Sequence, residues 1–143
     1  MGHDPAASLS SAQRRSLETV LILLAEERAS VSSVVDDRAW RVHVADSLTG
    51  LEVPELREAR RIADVGAGAG FPGLVLAVAL PDAEIDLIES VGRKTAFITR
   101  AAETAGIPNA FALTARAEDV ARGDGRETYD VVTARAVGRL STL

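Results

Sequence analysis

Apolar residues recur along the chain in two rhythms, and the change between them falls near residue 60. Before it, Leu17, Val20, Leu21 and Leu24 stand at i, i+3, i+4 and i+7, one face of an α-helix, and predict a helix from Ser11 to Arg28. Asp36 or Asp37 can cap a second helix that carries Trp40, Val44, Leu48 and, a little further round, Leu51, and ends near Gly50. From Arg61 onward short apolar runs alternate with helical stretches. Strands are predicted at Ile62 to Val65, Ile85 to Glu89, Phe111 to Thr114 and Tyr129 to Ala134. Between them lie a helix from about Pro72 to Leu80, closed by Pro81, and one from about Gly92 to Ala105, closed by Gly106 and Pro108. A weaker third spans about Ala117 to Arg122. This alternation is the mark of βαβ units, so the expected class is α/β with a parallel sheet. The expected organisation is an N-terminal helical extension over 1–58 and a Rossmann-like domain over 59–143, with no repeat or flexible linker.

Composition narrows the chemistry. At 143 residues and 47% hydrophobic content, the chain is long enough to bury a core and too apolar for disorder, but short for a complete doubly wound enzyme. It has no cysteine and only two histidines, His3 and His43, which excludes disulfides, thiolate metal sites and a nucleophilic cysteine; no metal is expected. No signal-peptide layout or membrane-spanning apolar run is present, and a soluble, cytoplasmic protein without a membrane partner is expected. The net charge of -5 argues mildly against a general nucleic-acid binder. All the cations except Lys94 are arginines, however, and a local arginine face could still engage RNA.

The segment R-I-A-D-V-G-A-G-A-G-F-P-G leads from the first predicted strand into a helix, with Gly66, Gly68, Gly70 and Gly73 at the turn. Glycines there permit positive φ and close backbone approach to a ligand, and amides at a helix start suit a negative or polar group. Glu89 ends the next strand, where an acid can accept the two hydroxyls of a ribose. Together they describe a nucleoside site. Gly68, Gly70 and Gly73 also satisfy the G-x-G-x-x-G spacing of dinucleotide-binding folds, so a nicotinamide-dependent oxidoreductase is a rival. Asp64, two residues before the first glycine, and Pro72, which removes an amide a pyrophosphate would use, favour S-adenosylmethionine. Asp64 could bond the cofactor's amino group or the loop's own amides.

Other residues fall around this site. Glu118 or Asp119, after the third strand, could accept from an adenine amino group, with an amide at Ala117 or Glu118 donating to the ring; a helix-start acid facing the dipole is the plainer alternative. The fourth strand ends T-A-R-A-V, without the Asn or Asp, prolines and aromatic used to methylate exocyclic amines. Arg135 there suits holding a target that is already nucleophilic, such as a ring nitrogen; a surface ion pair is the alternative. Arg93, Lys94 and Arg100 form a basic group that could meet phosphate or simply be solvated. His43, Asp46 and Ser47 share a helix face but lack the opposed geometry of a hydrolase triad, and a hydrogen-bond cluster joining helix to domain is expected.

In order, W-R-V-H-V-A-D-S-L, D-V-G-A-G-A-G-F-P-G, L-I-E-S-V-G-R-K, A-R-A-E-D and V-V-T-A-R-A-V resemble the ribosomal RNA small-subunit methyltransferase G family, also called glucose-inhibited division protein B, from about Trp40 to the last residue. The resemblance implies a Rossmann-like class I methyltransferase fold and methyl transfer from S-adenosylmethionine to N7 of a guanine in 16S ribosomal RNA, with that RNA or the small ribosomal subunit as partner. No catalytic residue is implied, since alignment of the reactants suffices. It places cofactor contacts on Gly66, Phe71, Ala117, Glu118 and Arg135, with Glu89 at the ribose; Gly68 and Gly70 join the cofactor loop, and Arg93, Lys94 and Arg135 are candidates for facing RNA, on the reading of the residues themselves. Two departures stand out. S-V-S-S-V-V-D-D replaces the family's N-L-T-x-I, and the family continues past the fourth strand, so a fold truncated there is expected. A cofactor-binding fragment or interaction module without catalysis, and a small-molecule methyltransferase, are the alternatives.

Overall fold

The computed structural model describes residues 4–27, 37–123 and 128–135. Asp36, the alternative helix cap, Ala136 at the end of the fourth strand motif, and most of the S-V-S-S-V-V-D-D segment lie outside them. The sheet has four strands, β1 (Arg61–Val65), β2 (Glu84–Glu89), β3 (Ala110–Thr114) and β4 (Val131–Ala134), in the order β3-β2-β1-β4 with every pair parallel. The chain steps outward from β1 to β3 and then returns to the other side of β1. That reversal puts the topological switch point between β1 and β4, where ligands bind in open α/β sheets.

The helices are α1 (Ser11–Glu27), α2 (Asp37–Ala39), α3 (Asp46–Leu48), α4 (Pro54–Glu58), α5 (Gly73–Ala79), α6 (Gly92–Ala105) and α7 (Ala117–Arg122). A π-helical turn, Trp40–Ala45, joins α2 to α3, and a 3-10 turn, Thr49–Glu52, follows. The predicted second helix is therefore one run containing a wide turn. Trp40, Val44 and Leu48 are spaced by four and would drift by about 40° per step around a 3.6-residue helix. The i→i+5 turn, with the Asp46 amide donating to the Arg41 carbonyl, brings them back into line, and Val44 and Leu48 are fully buried.

Residues Gly73 to Val78 of α5 are all buried, because α1 and α3 cover the side of the helix turned away from the sheet. An apolar sequence without a polar face, G-L-V-L-A-V-A, suits such a position. Ile62 of β1, Ile85 and Leu87 of β2, Leu74 and Leu76 of α5, Ile98 and Ala101 of α6, and Leu17, Val20 and Leu21 of α1 belong to one apolar cluster. α6 ends on Gly106 in the left-handed conformation, as its position after the last periodic residue predicts.

Most element ends fall within one residue of expectation; β4 and one unpredicted helix differ more. β4 begins at Val131 rather than Tyr129, because the preceding residues make other bonds. The Asp130 carboxylate accepts from the amides of Arg60 and Arg61 at 2.8 and 2.9 Å, which holds it below the usual carboxylate range, and the Tyr129 hydroxyl donates to Asp86 at 2.7 Å. The short α4 is absent from the periodicity reading, although Pro54 at its first position and Glu55 in its first turn are ordinary start signals.

Candidate functional site

The loop after β1 turns back along the tip of β2. The amides of Gly66 and Ala67 both donate to the Ile88 carbonyl, at 2.9 and 3.1 Å, and Gly66, Gly68 and Gly70 have φ of 66°, 57° and 103°. The glycines have separate roles. A Cβ on Gly70 would meet Leu74 Cδ1 at 2.5 Å, so this glycine lets the loop pass close to α5, and one on Gly73 would meet Leu87 Cδ2 at 2.6 Å and Asp64 Oδ2 at 2.7 Å, so Gly73 allows α5 to lie close on the sheet. A Cβ on Gly68 would meet nothing nearer than the Gly66 carbonyl at 3.9 Å. Gly68, whose amide bonds the Glu89 carboxylate, thus has no packing neighbour that requires a glycine, and its positive φ is its only local demand.

Glu89 is buried, and its carboxylate is held by backbone: Oε1 accepts from the Gly68 amide at 3.1 Å and Oε2 from the Val91 amide at 2.8 Å. Each oxygen keeps a lone pair for a further donor, the requirement for binding a vicinal diol. The acceptor pair thus fits the hydroxyls of a ribose, and the glycine backbone fits the linked polar chain. The Ala115 amide donates to the Glu89 carbonyl at 3.0 Å, which ties the segment leading into α7, where Glu118 is exposed, to the end of β2.

Asp64 is 1% exposed. Its Oδ2 accepts from the Gly73 amide at 2.9 Å and its Oδ1 from the Thr133 hydroxyl at 3.1 Å, so it ties the tip of β1 to α5 and to β4. Of its two expected roles, the structure shows the bond to the backbone amide at the start of α5. Burial pushes its carboxyl up from 3.8 to about 6, against the lowering effect of the two hydrogen bonds and of Arg135.

The helical run over the site supplies its outer wall. His43 stacks on Phe71 with ring centroids 4.9 Å apart. Arg135, at the tip of β4, donates through Nη2 to the Val42 carbonyl at 3.1 Å and pairs through the same nitrogen with Asp46 Oδ2 at 3.2 Å. The Ser47 hydroxyl donates to the His43 carbonyl at 2.5 Å. The Ser47 bond stays within the helical run, so the expected hydrogen-bond cluster is met only in part: Asp46 through Arg135 and His43 through its stack on Phe71 join the run to the domain, and the three do not form a triad. The sequence carries no signal for the Phe71 stack. Arg93 and Lys94 are exposed in the first turn of α6, whereas Arg100 lies two turns away, pairing with Glu27 of α1 at 3.0 Å, so the three do not form one basic group.

Surface clefts of about 650, 530 and 520 Å3 lie elsewhere, beside β3, beneath α7 and at the foot of α5. Among the described residues no group of three or more His, Cys, Asp or Glu is placed to hold a metal, and no helix is long and apolar enough to cross a membrane.

The fold is that of the class I methyltransferases. The O-methyltransferase TomG from Streptomyces achromogenes, solved in complex with SAM, matches with a TM-score of 0.56 at 23% identity, over 92% of this chain and 57% of that one. The SAH-bound methyltransferase PaMTH1 from Podospora anserina matches with a TM-score of 0.60 at 16% identity, over 92% and 54%.

Within that class the chain belongs to the rRNA small subunit methyltransferase G family, whose model matches residues 16–143. Relatives named ribosomal RNA small subunit methyltransferase G are 41% identical over 124 residues in Sorangium cellulosum and 40% over 131 residues in Gloeobacter violaceus, covering 85% and 89% of this chain. The Staphylococcus carnosus relative is 34% identical over 141 residues. The chain spans 52% of the length of the first two relatives and 59% of the third.

Proposed function

We propose that the chain binds S-adenosylmethionine at the β1–β4 switch point and serves methyl transfer to N7 of a guanine in 16S ribosomal RNA. One observation carries this reading: in a chain of this family, the buried Glu89 carboxylate is fixed by the Gly68 and Val91 amides with lone pairs to spare for a diol, next to a glycine whose Cβ position is open. When bound, the cofactor supplies a methyl group activated by a sulfonium. Glu89 would accept the ribose hydroxyls, the loop backbone would hold the amino-acid portion, and Ala117 and Glu118 would face the adenine. Phe71, backed by His43, would be the apolar wall. Arg135, with Arg93 and Lys94, would hold anionic groups of ligand or RNA.

N7 of guanine carries its own lone pair, so no residue need remove a proton before attack. The bound cofactor would supply the methyl group by direct displacement, its sulfonium ending as a neutral thioether and the base as a cation. The work of this chain is then alignment. That fits the absence of an amine-methylating motif after β4 and of a cysteine nucleophile.

Titration calorimetry with S-adenosylmethionine and NADH tests the cofactor, and transfer of labelled methyl into small ribosomal subunits tests the reaction. We expect binding of the first ligand, and preferential binding of NADH overturns the proposal. Glu89→Gln should weaken S-adenosylmethionine binding by about 1 to 3 kcal/mol, the loss of charge-assisted hydrogen bonds. An unchanged dissociation constant removes Glu89 from the site. Binding without transfer would support the second reading, a cofactor-binding module, which the exposed sheet face of Phe111, Leu113 and Val132 favours.

A further inference from the structure

Arg135 is held from a direction that the glycine loop does not explain. Its Nη2 makes both recorded contacts, with the Val42 carbonyl at 3.1 Å and Asp46 Oδ2 at 3.2 Å, and both partners belong to the helical run that precedes the sheet. Among the described residues, Nε and Nη1 make no bond, so the rest of the planar fork is open to an anion. Arg135 also lowers the carboxyl of the buried Asp64 electrostatically, so both Asp46 and Asp64 feel its charge.

We propose that Asp46 is a positioning residue for Arg135: through it the helical run fixes the guanidinium at the mouth of the nucleoside site, with its open edge toward the carboxylate of the bound amino-acid portion. This rests on the S-adenosylmethionine reading above. Asp46 does not compete with the ligand, because it uses the nitrogen already committed to Val42. Its side chain is 60% exposed, so replacing it removes little packing. A long, rotamer-rich arginine left without that anchor loses preorganisation, which binding must then restore.

Calorimetry on the full 143-residue chain tests this with two ligands, S-adenosylmethionine and 5′-methylthioadenosine, which keeps the nucleoside and lacks the carboxylate. Asp46→Asn should weaken the first by about three- to tenfold, within the range of a partly exposed ion pair, and leave the second unchanged. Asp46→Glu should recover part of the loss, and in an Arg135→Ala background Asp46→Asn should have no further effect. Equal weakening of both ligands, or the same loss with and without Arg135, would make Asp46 merely structural and overturn the proposal. Unchanged or tighter S-adenosylmethionine binding overturns it as well, the tighter case revealing competition. If the unsubstituted chain binds neither ligand, the cofactor reading itself fails and this inference falls with it.

Discussion

Asp64 shows how much one buried side chain can decide. Its carboxyl is held at about 6 in the folded chain against 3.8 when exposed, so the folded state binds the proton more tightly than the unfolded state does. Its contribution to stability is therefore fully present below about pH 4 and is lost as the pH rises through about 6, a change of about 3 kcal/mol. Asparagine can still accept from the Gly73 amide, and the Thr133 hydroxyl can turn to accept from the new amide. The stability of Asp64→Asn relative to the parent should accordingly improve by about 3 kcal/mol between pH 4 and pH 7. Paired denaturant titrations across that range measure it; a difference that does not vary with pH would place the carboxyl near its ordinary value.

At this scale the sequence is legible where chemistry and spacing coincide. Glu89 is recognisable because it ends a strand one βα unit after a glycine loop, and its position beside Gly68 follows from parallel pairing of β1 with β2. Asp46 and Arg135 are 89 positions apart, and no local pattern links them. Their meeting depends on how the N-terminal helical run is laid over the sheet.

Among the elements, α5 relies most on a residue outside itself. The Asn109 side-chain amide faces the carbonyls of Ala77, Leu80 and Ala83 at 2.9, 3.1 and 2.8 Å, bonding the end of α5 and the turn into β2 from the start of β3. Helix ends leave carbonyls without partners, and here a distant asparagine meets them instead of a glycine cap. Asn109→Ala should destabilise the fold by about 1 to 3 kcal/mol, because the part-buried Ala77 and Ala83 carbonyls lose this donor, while the Leu80 carbonyl keeps the Ala83 amide. A loss in chemical denaturation well below that range would mean that water replaces the amide. Element existence and order were readable from periodicity, whereas this staple was not, since asparagine before a strand ordinarily signals only a turn. The π turn at Trp40–Ala45 was hidden for a related reason: apolar residues four apart match an α-helix closely enough to conceal the wider turn.

For the whole molecule, the change of rhythm near residue 60 suggests two units, but the packing joins them. Leu17, Val20, Leu21 and Leu24 of α1 share a core with Leu74 and Leu76 of α5 and Ile98 of α6, and Gln13 donates to the Val78 carbonyl at 3.0 Å. Arg14 also lies over the Trp40 ring at 4.3 Å, which connects α1 to the site's outer wall. A helical extension so embedded has little apolar surface of its own to bury once the sheet domain melts, so the two should unfold together. Trp40 is the only tryptophan and reports on the helices, while far-ultraviolet dichroism reports on the whole fold. We expect their denaturation curves to coincide. Leu21→Ala, in α1, should shift both curves together by about 2 to 5 kcal/mol, the usual consequence of emptying a leucine site in a packed core. An early Trp40 transition, with the dichroism curve unmoved by Leu21→Ala, would instead make residues 1–58 a separable unit, and the wall over the nucleoside site would then open independently of its floor.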